Sequence, residues 1–178
     1  GLLNMNLGNL DYAIKSLEWA LAYSPNYAEA HNNLGATYQE QMLYEKAMNQ
    51  YEKAVDLNSN YVIALNNLGI LSEIMGFRDN AILNYNKAIS INPSYSEAHR
   101  NLSTIKKYTE KDAQVNQMEA LYLRSNLSNL DKINLSFALA KVNEDLKNND
   151  EIFKYLNEGN KLRKEELTYS FTSSRRLQ

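Results

Sequence analysis

The chain has 178 residues, 44% apolar and 22% charged, the length and balance of one ordinary globular domain. Its formal charge of −2 gives no electrostatic case for nucleic acid or an anionic membrane as partner. The lack of cysteine excludes disulfides, thiolate nucleophiles and cysteine-ligated metals; with no basic-then-apolar leader and no membrane-length apolar run, the expected location is cytoplasmic.

Gly1, Gly35 and Gly69 stand 34 residues apart. In that register the sequence opens part-way through a helix, which reads as a cut fragment or a processed start with an incomplete first unit. Gly8-Asn9 predicts the end of this stretch, and a helix follows from Asp11 with Ala13, Leu17 and Ala20 on one face. With part of its unit absent, the side bearing Leu17 and Trp19 is partly uncovered, and self-association or a swap with another copy is expected through this end.

Pro25, Ser59 and Pro93 are each followed by a polar residue and a tyrosine: Asn26-Tyr27, Asn60-Tyr61 and Ser94-Tyr95. A helix is predicted after each, here termed helix A, with capping-box spacing at Asn26/Glu29 and Ser94/Glu97. Each helix A carries one signature: Ala30-His31-Asn32-Asn33-Leu34-Gly35, Ala64-Leu65-Asn66-Asn67-Leu68-Gly69 and Ala98-His99-Arg100-Asn101-Leu102-Ser103. A 34-residue period means a helical array whose units bury their apolar faces only by stacking. The tiny residue after each Leu lets a neighbouring helix come close. Helix A is predicted to stop at Met42-Leu43 and Gly76-Phe77. Helix B then opens with Glu45 or Asp79, acids suited to the positive end of the helix dipole. It buries a small-large-small stripe, Ala47, Tyr51 and Ala54 in one copy and Ala81, Tyr85 and Ala88 in the next.

From Lys111 the period drifts. Residues 112–125 predict a helix with Val115, Met118, Leu121 and Tyr122 on one face, in place of the fourth unit's helix B. Ser128-Asn129-Leu130-Asp131 opens another helix, with Ile133, Phe137, Leu139, Ala140 and Val142 as its apolar side. The turn Asn148-Asn149-Asp150 leads to Ile152, Phe153, Leu156 and Gly159. Ala140 stands for Gly69 and Gly159 for Ala88; the step from Ser103 to Ala140 is 37 residues, an insertion of three. From Tyr169 the periodicity is lost, which predicts a linker or extended tail. The domain reading is a regular array over 1–108, degenerate repeat-like helices over 109–168 and a tail over 169–178.

The Leu-Gly, Ala, Tyr, Ala and Pro positions of the 34-residue unit resemble the tetratricopeptide repeat (TPR) family across residues 1–108. His31, Leu65 and His99 stand where that family usually has Trp. The resemblance implies an all-α fold: a right-handed superhelical solenoid of antiparallel helix pairs, roughly nine or ten helices here, with the A helices lining a concave groove. Residues 112–170, above all 137–141 and 155–163, also resemble the stretch before the catalytic domain of bacterial proteins that join TPR arrays to a sulfotransferase-like domain. That implies a substrate-recruiting arm without its catalytic domain, since the six glycines form no phosphate-binding loop.

Asn33, Asn67 and Asn101 are the leading site candidates. A carboxamide offers both a donor and an acceptor, so it can bond the backbone of an extended peptide whatever its sequence. The sequence is similar here to O-GlcNAc transferase, where a ladder of asparagines at this repeat position holds peptide backbones. The alternative is that these amides bond a neighbouring helix, in a chain holding 25 Asn. Asn32, Asn66, Gln39, Glu73 and Arg100 are placed on the same groove face, with Glu29, Ala36, Ile63, Ile70, Glu97, Thr104 and Lys107. This set lacks the paired-lysine, asparagine and arginine arrangement by which chaperone-binding TPR domains hold a C-terminal carboxylate. His31 and His99 lie two repeats apart, roughly 20 Å at helix-packing spacing, too far to share one metal ion; they are read as packing residues. Asn-Leu-Ser at Asn101, Asn126 and Asn134 matches a glycosylation sequon but, without an export signal, is read as chance. No catalytic cluster, metal motif or cofactor site is found. The reading is a non-catalytic scaffold that binds a protein or extended peptide in the helix A groove. The alternatives are the recruiting arm of a transferase and a self-assembly module whose open ends pair into a homo-oligomer.

Overall fold

In a computed structural model that describes the backbone of residues 2–175 and the side chains of residues 9–167, nine α-helices and no strand occur among the described residues. The helices fall into two units, residues 1–91 and 92–178. Unit 1 holds α1 (Leu2–Tyr23), α2 (Ala28–Glu40), α3 (Tyr44–Leu57), α4 (Val62–Ile74) and α5 (Arg78–Ile91). Unit 2 holds α6 (Ser96–Ile105), α7 (Ala113–Tyr122), α8 (Asn129–Asp145) and α9 (Asn149–Arg175). The third signature, grouped by sequence with the regular array, therefore sits in α6 of unit 2. Among the described residues no helix is long and apolar enough to cross a membrane.

Three turns of one build end helices α2, α4 and α8. The residue after the last turn takes a left-handed conformation: Met42 (φ 60°), Gly76 (φ 82°) and Lys147 (φ 59°). Its N–H bonds the carbonyl three residues back, and the next N–H reaches five residues back, as in Leu43 to Tyr38 (2.9 Å), Phe77 to Ser72 (2.8 Å) and Asn148 to Asn143 (2.9 Å). This is a Schellman motif, which satisfies the last helical carbonyls and folds helix B back along helix A. Only one of the three positions has the glycine that this backbone favours.

The same economy governs the helix A starts. Tyr27, Tyr61 and Tyr95 are the N-caps, Tyr27 and Tyr95 in extended conformation and Tyr61 at φ −77°, ψ 86°, all without a side-chain capping bond. The expected capping boxes at Asn26/Glu29 and Ser94/Glu97 do not form, because the helix begins one residue later and leaves Glu one position short of the capping site. A backbone turn does the work instead, with the tyrosine N–H bonding the carbonyl of Ser24, Asn58 or Asn92 at 3.0–3.2 Å. Asn58 and Asn92 brace it further, each side chain accepting from the N–H two residues on.

Within unit 1, α2 packs on α3 and α4 on α5, while α1 lies on α2 and α3 on α4. Two of the three small-large-small stripes are buried as expected: Ala47, Ala54, Ala81, Tyr85 and Ala88 are fully enclosed and Tyr51 is 2% exposed, whereas in α1 Ala13 is half-buried and Ala20 exposed. Gly35 and Gly69 allow this closeness. A Cβ on Gly35 would lie 2.8 Å from the Tyr51 ring, and one on Gly69 would lie 2.5 Å from the Tyr85 ring. One expectation fails in α1, which is continuous from Leu2 to Tyr23 with no break at Gly8-Asn9. Continuing the helix satisfies the backbone one bond per residue, and a glycine in a helix interior costs only about 1 kcal/mol. Gly1 lies outside the described residues. Leu17, lacking a helix on one side, is half-buried, and Tyr12, Trp19 and Tyr23 are exposed.

Within unit 2, α6, α7 and α9 all pack on α8. Val115, Met118 and Leu121 of α7 meet Leu135, Leu139 and Val142 of α8, with Tyr108 and Tyr155, in one buried cluster. Ser128 caps α8 by accepting from the Asp131 N–H at 3.1 Å. The three inserted residues are absorbed in α8 itself, which has 17 residues against 13 in α2 and α4. Its first half keeps the 34-residue register, and its left-handed end comes three residues late. Gly159 lets α9 approach, since a Cβ there would lie 3.1 Å from Ser136. The residues read as an extended tail continue α9 to Arg175, and 176–178 lie outside the described residues. No Pro or Gly interrupts 160–175, so nothing local stops the helix.

Candidate functional site

Helices α2 and α4 place equivalent residues side by side. Their relative register is fixed by Asn67 Nδ2, which donates to Asn32 Oδ1 of the preceding repeat at 3.0 Å. Helical spacing puts residues 63, 67, 70 and 74 of α4 in one narrow sector, and residues 29, 33, 36 and 40 of α2 in the corresponding one. On α4 this stripe is Ile63, Asn67, Ile70 and Ile74; on α2 it is Glu29, Asn33, Ala36 and Glu40. Ile63 and Ile74 are 47% and 50% exposed, Asn33, Glu29 and Glu40 are exposed, and Asn67 and Ile70 are half-buried. The sequence placed Ile63, Asn67 and Ile70 here but missed Glu40 and Ile74. The same four-three-four spacing would have found both.

The remaining candidates of unit 1 are engaged in the fold. Asn32 and Asn66 are buried, at 5% and 2% exposure, in the seam beside the stripe. Asn32 reaches Asn33 Oδ1 at 3.5 Å. Gln39 Oε1 accepts from the Tyr51 hydroxyl at 3.0 Å, and Glu73 Oε2 accepts from the Tyr85 hydroxyl at 3.2 Å. Burial, with Glu40 nearby, pushes the Tyr51 phenol up to about 12, and burial beside Glu73 raises Tyr85 as well, so both remain neutral donors. Of the asparagine pair in unit 1, Asn33 is exposed, while Asn67 uses one amide hydrogen on the neighbouring helix.

Arg100 and Asn101 belong to unit 2. Arg100 Nη1 donates to Asn134 Oδ1 at 3.1 Å, and its guanidinium stands 5.3 Å from the Phe137 ring centre. Asn134 Nδ2 in turn donates to Ser96 Oγ at 3.1 Å, and Ser96 donates to Asp131 at 2.7 Å. This buried polar chain ties α6 to α8. Asn101 is half-buried, and its carbonyl accepts from Thr104 Oγ1 at 2.6 Å. Lys107 and Lys141 both pair with Asp145, whose side chain is 1% exposed. Burial pushes Asp145 up, but bonds from Lys107, Lys141 and the Tyr108 N–H outweigh it and hold its carboxyl down at about 2.

The histidines have a recurring role that the sequence reading missed. His31 Nε2 and His99 Nε2 each donate to a proline carbonyl six residues back, Pro25 at 2.9 Å and Pro93 at 3.0 Å. The signal was present, since prolines and histidines both recur at 68 residues; Ser59 and Leu65 replace both in the middle copy. Among the described residues no group of three or more His, Cys, Asp or Glu could hold a metal ion.

Residues 1–41 match the family model for the TPR repeat, and residues 28–61 and 62–95 each match a model for the tetratricopeptide repeat. The last two matches begin where α2 and α4 begin, and together the three cover just over half of the chain. The chain belongs to the tetratricopeptide repeat family. Among solved structures this TPR chain is similar to MamA, at 21% identity and a TM-score of 0.62 over 93% of this chain and 95% of that one. A second MamA structure gives 20% and 0.59 over 93% and 88%. It is also similar to pilF of Pseudomonas aeruginosa, at 22% and 0.67 over 90% and 72%. These likenesses extend beyond residue 95 and show the fold, an all-α TPR-like array of helix pairs. No curated protein matches the sequence.

Proposed function

We propose that this TPR protein is a non-catalytic interaction scaffold that holds an extended peptide or partner segment along the helix A face of α2 and α4. The observation that carries the reading is the Ile63–Asn67–Ile70–Ile74 stripe beside the exposed amide of Asn33. Aliphatic side chains at about half exposure lose free energy in water that a ligand restores, at roughly 25 cal/mol for each Å² covered. Asn33 adds a donor and an acceptor for a peptide backbone, worth about 0.5–1.5 kcal/mol per net bond. Against the cost of association this supports weak to moderate affinity, and the family assignment supports an interaction role over a reaction. Asn67 offers the ligand its oxygen and its second amide hydrogen, since Asn32 accepts the first.

The test is selection of binders from a random peptide library on the 178-residue chain, then affinity measurements on Asn33→Ala and Ile70→Ser. The reading expects each substitution to weaken binding several-fold while the melting temperature stays within a few degrees. Peptides that bind both variants as tightly as the parent would overturn it. A second reading, self-association, has its own observation in the exposed aromatic side of α1, where Trp19 and Tyr23 stack edge to face at 5.6 Å. It expects a concentration-dependent mass in sedimentation that Trp19→Ser abolishes; a mass that does not change with concentration would contradict it.

A further inference from the structure

We infer that the α2–α4 face selects an extended peptide in which Lys or Arg flanks a short aliphatic segment. This rests on the peptide-binding reading above and adds the chemistry of the ligand. Three observations converge on it. First, neither α2 nor α4 contains a Lys or Arg, whereas Glu29, Glu40 and Glu73 are all exposed on them. Second, the imbalance extends to the whole unit: residues 1–91 hold five Lys or Arg against nine Asp or Glu, and residues 92–178 hold 14 against 12. Third, the acids are used differently in the two units. In unit 2 Asp112, Glu119, Asp145, Glu151 and Glu158 are ion-paired. Among the described residues Glu29 and Glu40 have no ion pair; they stand beside the tyrosines Tyr61 and Tyr51, whose phenols they help to raise.

The geometry sets the spacing. Glu29 and Glu40 are near opposite ends of α2, separated by eleven residues or about 16 Å of helix axis. An even step keeps both cations on one face of an extended chain, and six steps, about 20 Å, reach both acids with the lysine stems leaning inward. On the adjacent helix Ile63 stands level with Glu29, Ile74 with Glu40, and Ile70 between them. A peptide with cations at both ends of an aliphatic core would place charge on charge and apolar surface on apolar surface. An acidic peptide would bring carboxylates against carboxylates, so the face discriminates by repulsion as well as attraction.

The probe is a fluorescein-labelled Lys-Ser-Leu-Ser-Val-Ser-Lys peptide, whose two Lys and two aliphatic residues share one face when extended, compared with the same peptide carrying Glu for both Lys. Anisotropy titrations use the full chain at low ionic strength and at 1 M salt, where the Debye length is about 3 Å. The Lys peptide is expected to bind at least about tenfold more tightly than its Glu counterpart at low salt, with most of the difference lost at 1 M salt. A Glu29→Gln/Glu40→Gln variant, altered only at exposed positions, is expected to erase the preference. Equal binding of the two peptides, with the Asn33 and Ile70 effects intact, would overturn this inference and leave the peptide-binding reading standing. A preference that survives in the double variant would overturn it too. Failure of both peptides and of the library selection would overturn both readings.

Discussion

At the residue scale, the repeat is held by contacts that tolerate little change. Gly69 faces the fully buried Tyr85 ring, and a methyl group there would lie at 2.5 Å. Gly69→Ala gains about 1 kcal/mol of helix propensity but overpacks a core, which costs about 1–3 kcal/mol. The net expectation is destabilisation of up to about 2 kcal/mol, read from the urea midpoint; a rise in midpoint would mean that the ring yields. His99 presents a second case. It is fully buried, donates through Nε2 to Pro93, and leaves Nδ1 without a partner among the described residues. Burial lowers its pKa, which the Pro93 bond only partly opposes. The unfolded chain therefore takes up the proton first, and stability is lost as pH falls below the ordinary histidine range near about 6.5. His99→Leu copies Leu65, the fully buried residue of the middle repeat. It should flatten the stability profile between about pH 7 and pH 5, and an unchanged profile would assign that slope elsewhere.

At the element scale, the turns explain both what was legible and what was not. Met42 is 73% exposed and sits in the left-handed region that costs a side chain roughly 1 kcal/mol. Met42→Gly should raise stability by up to about 0.6 kcal/mol after the entropy of the unfolded glycine is counted, and Lys147→Gly should act alike. Equilibrium denaturation checks both, and a loss in either would show that the side chain contributes packing. The ends of α2 and α4 were readable because the 34-residue period marks them at Met42 and Gly76. The Ser128 cap of α8 was readable because a hydroxyl three residues before an acid has a local meaning. The failures have physical causes. Tyrosine does not cap with its side chain, so the true helix A start is set by a backbone turn that composition does not announce. The extra turn in α8 is invisible because a helix can lengthen without changing its apolar pattern. The division of the candidate asparagines could not be read locally either: Asn32 and Asn66 turn into the seam, Asn33 stays exposed and Asn67 spans the two, although both pairs stand in signatures that differ only at His31 and Leu65.

At the scale of the whole molecule, the two units differ in how they use charge. Unit 2 is tied by Asp145, which Lys107, Lys141 and the Tyr108 N–H hold in its ionised form. A carboxyl depressed to about 2 stabilises the fold at every pH above the ordinary carboxylate range and loses that contribution as pH falls from about 4 towards 2. Asp145→Asn should cost about 1–3 kcal/mol at neutral pH and shrink the acid-induced loss of helicity seen by circular dichroism; an unaltered acid transition would assign it to other carboxyls. Unit 1 instead sets Glu29 and Glu40, without ion pairs among the described residues, beside an aliphatic stripe, and the central claim is that this face is where a partner lies. Amide shift mapping of the full chain with a library-selected peptide tests it most directly. The account predicts that the largest shifts fall on Asn33, Ala36, Ile63, Asn67 and Ile70, with Lys53, Leu83 and Lys87 on the B helices unmoved. Shifts concentrated on α1 or on the B helices, with α2 and α4 silent, would contradict it.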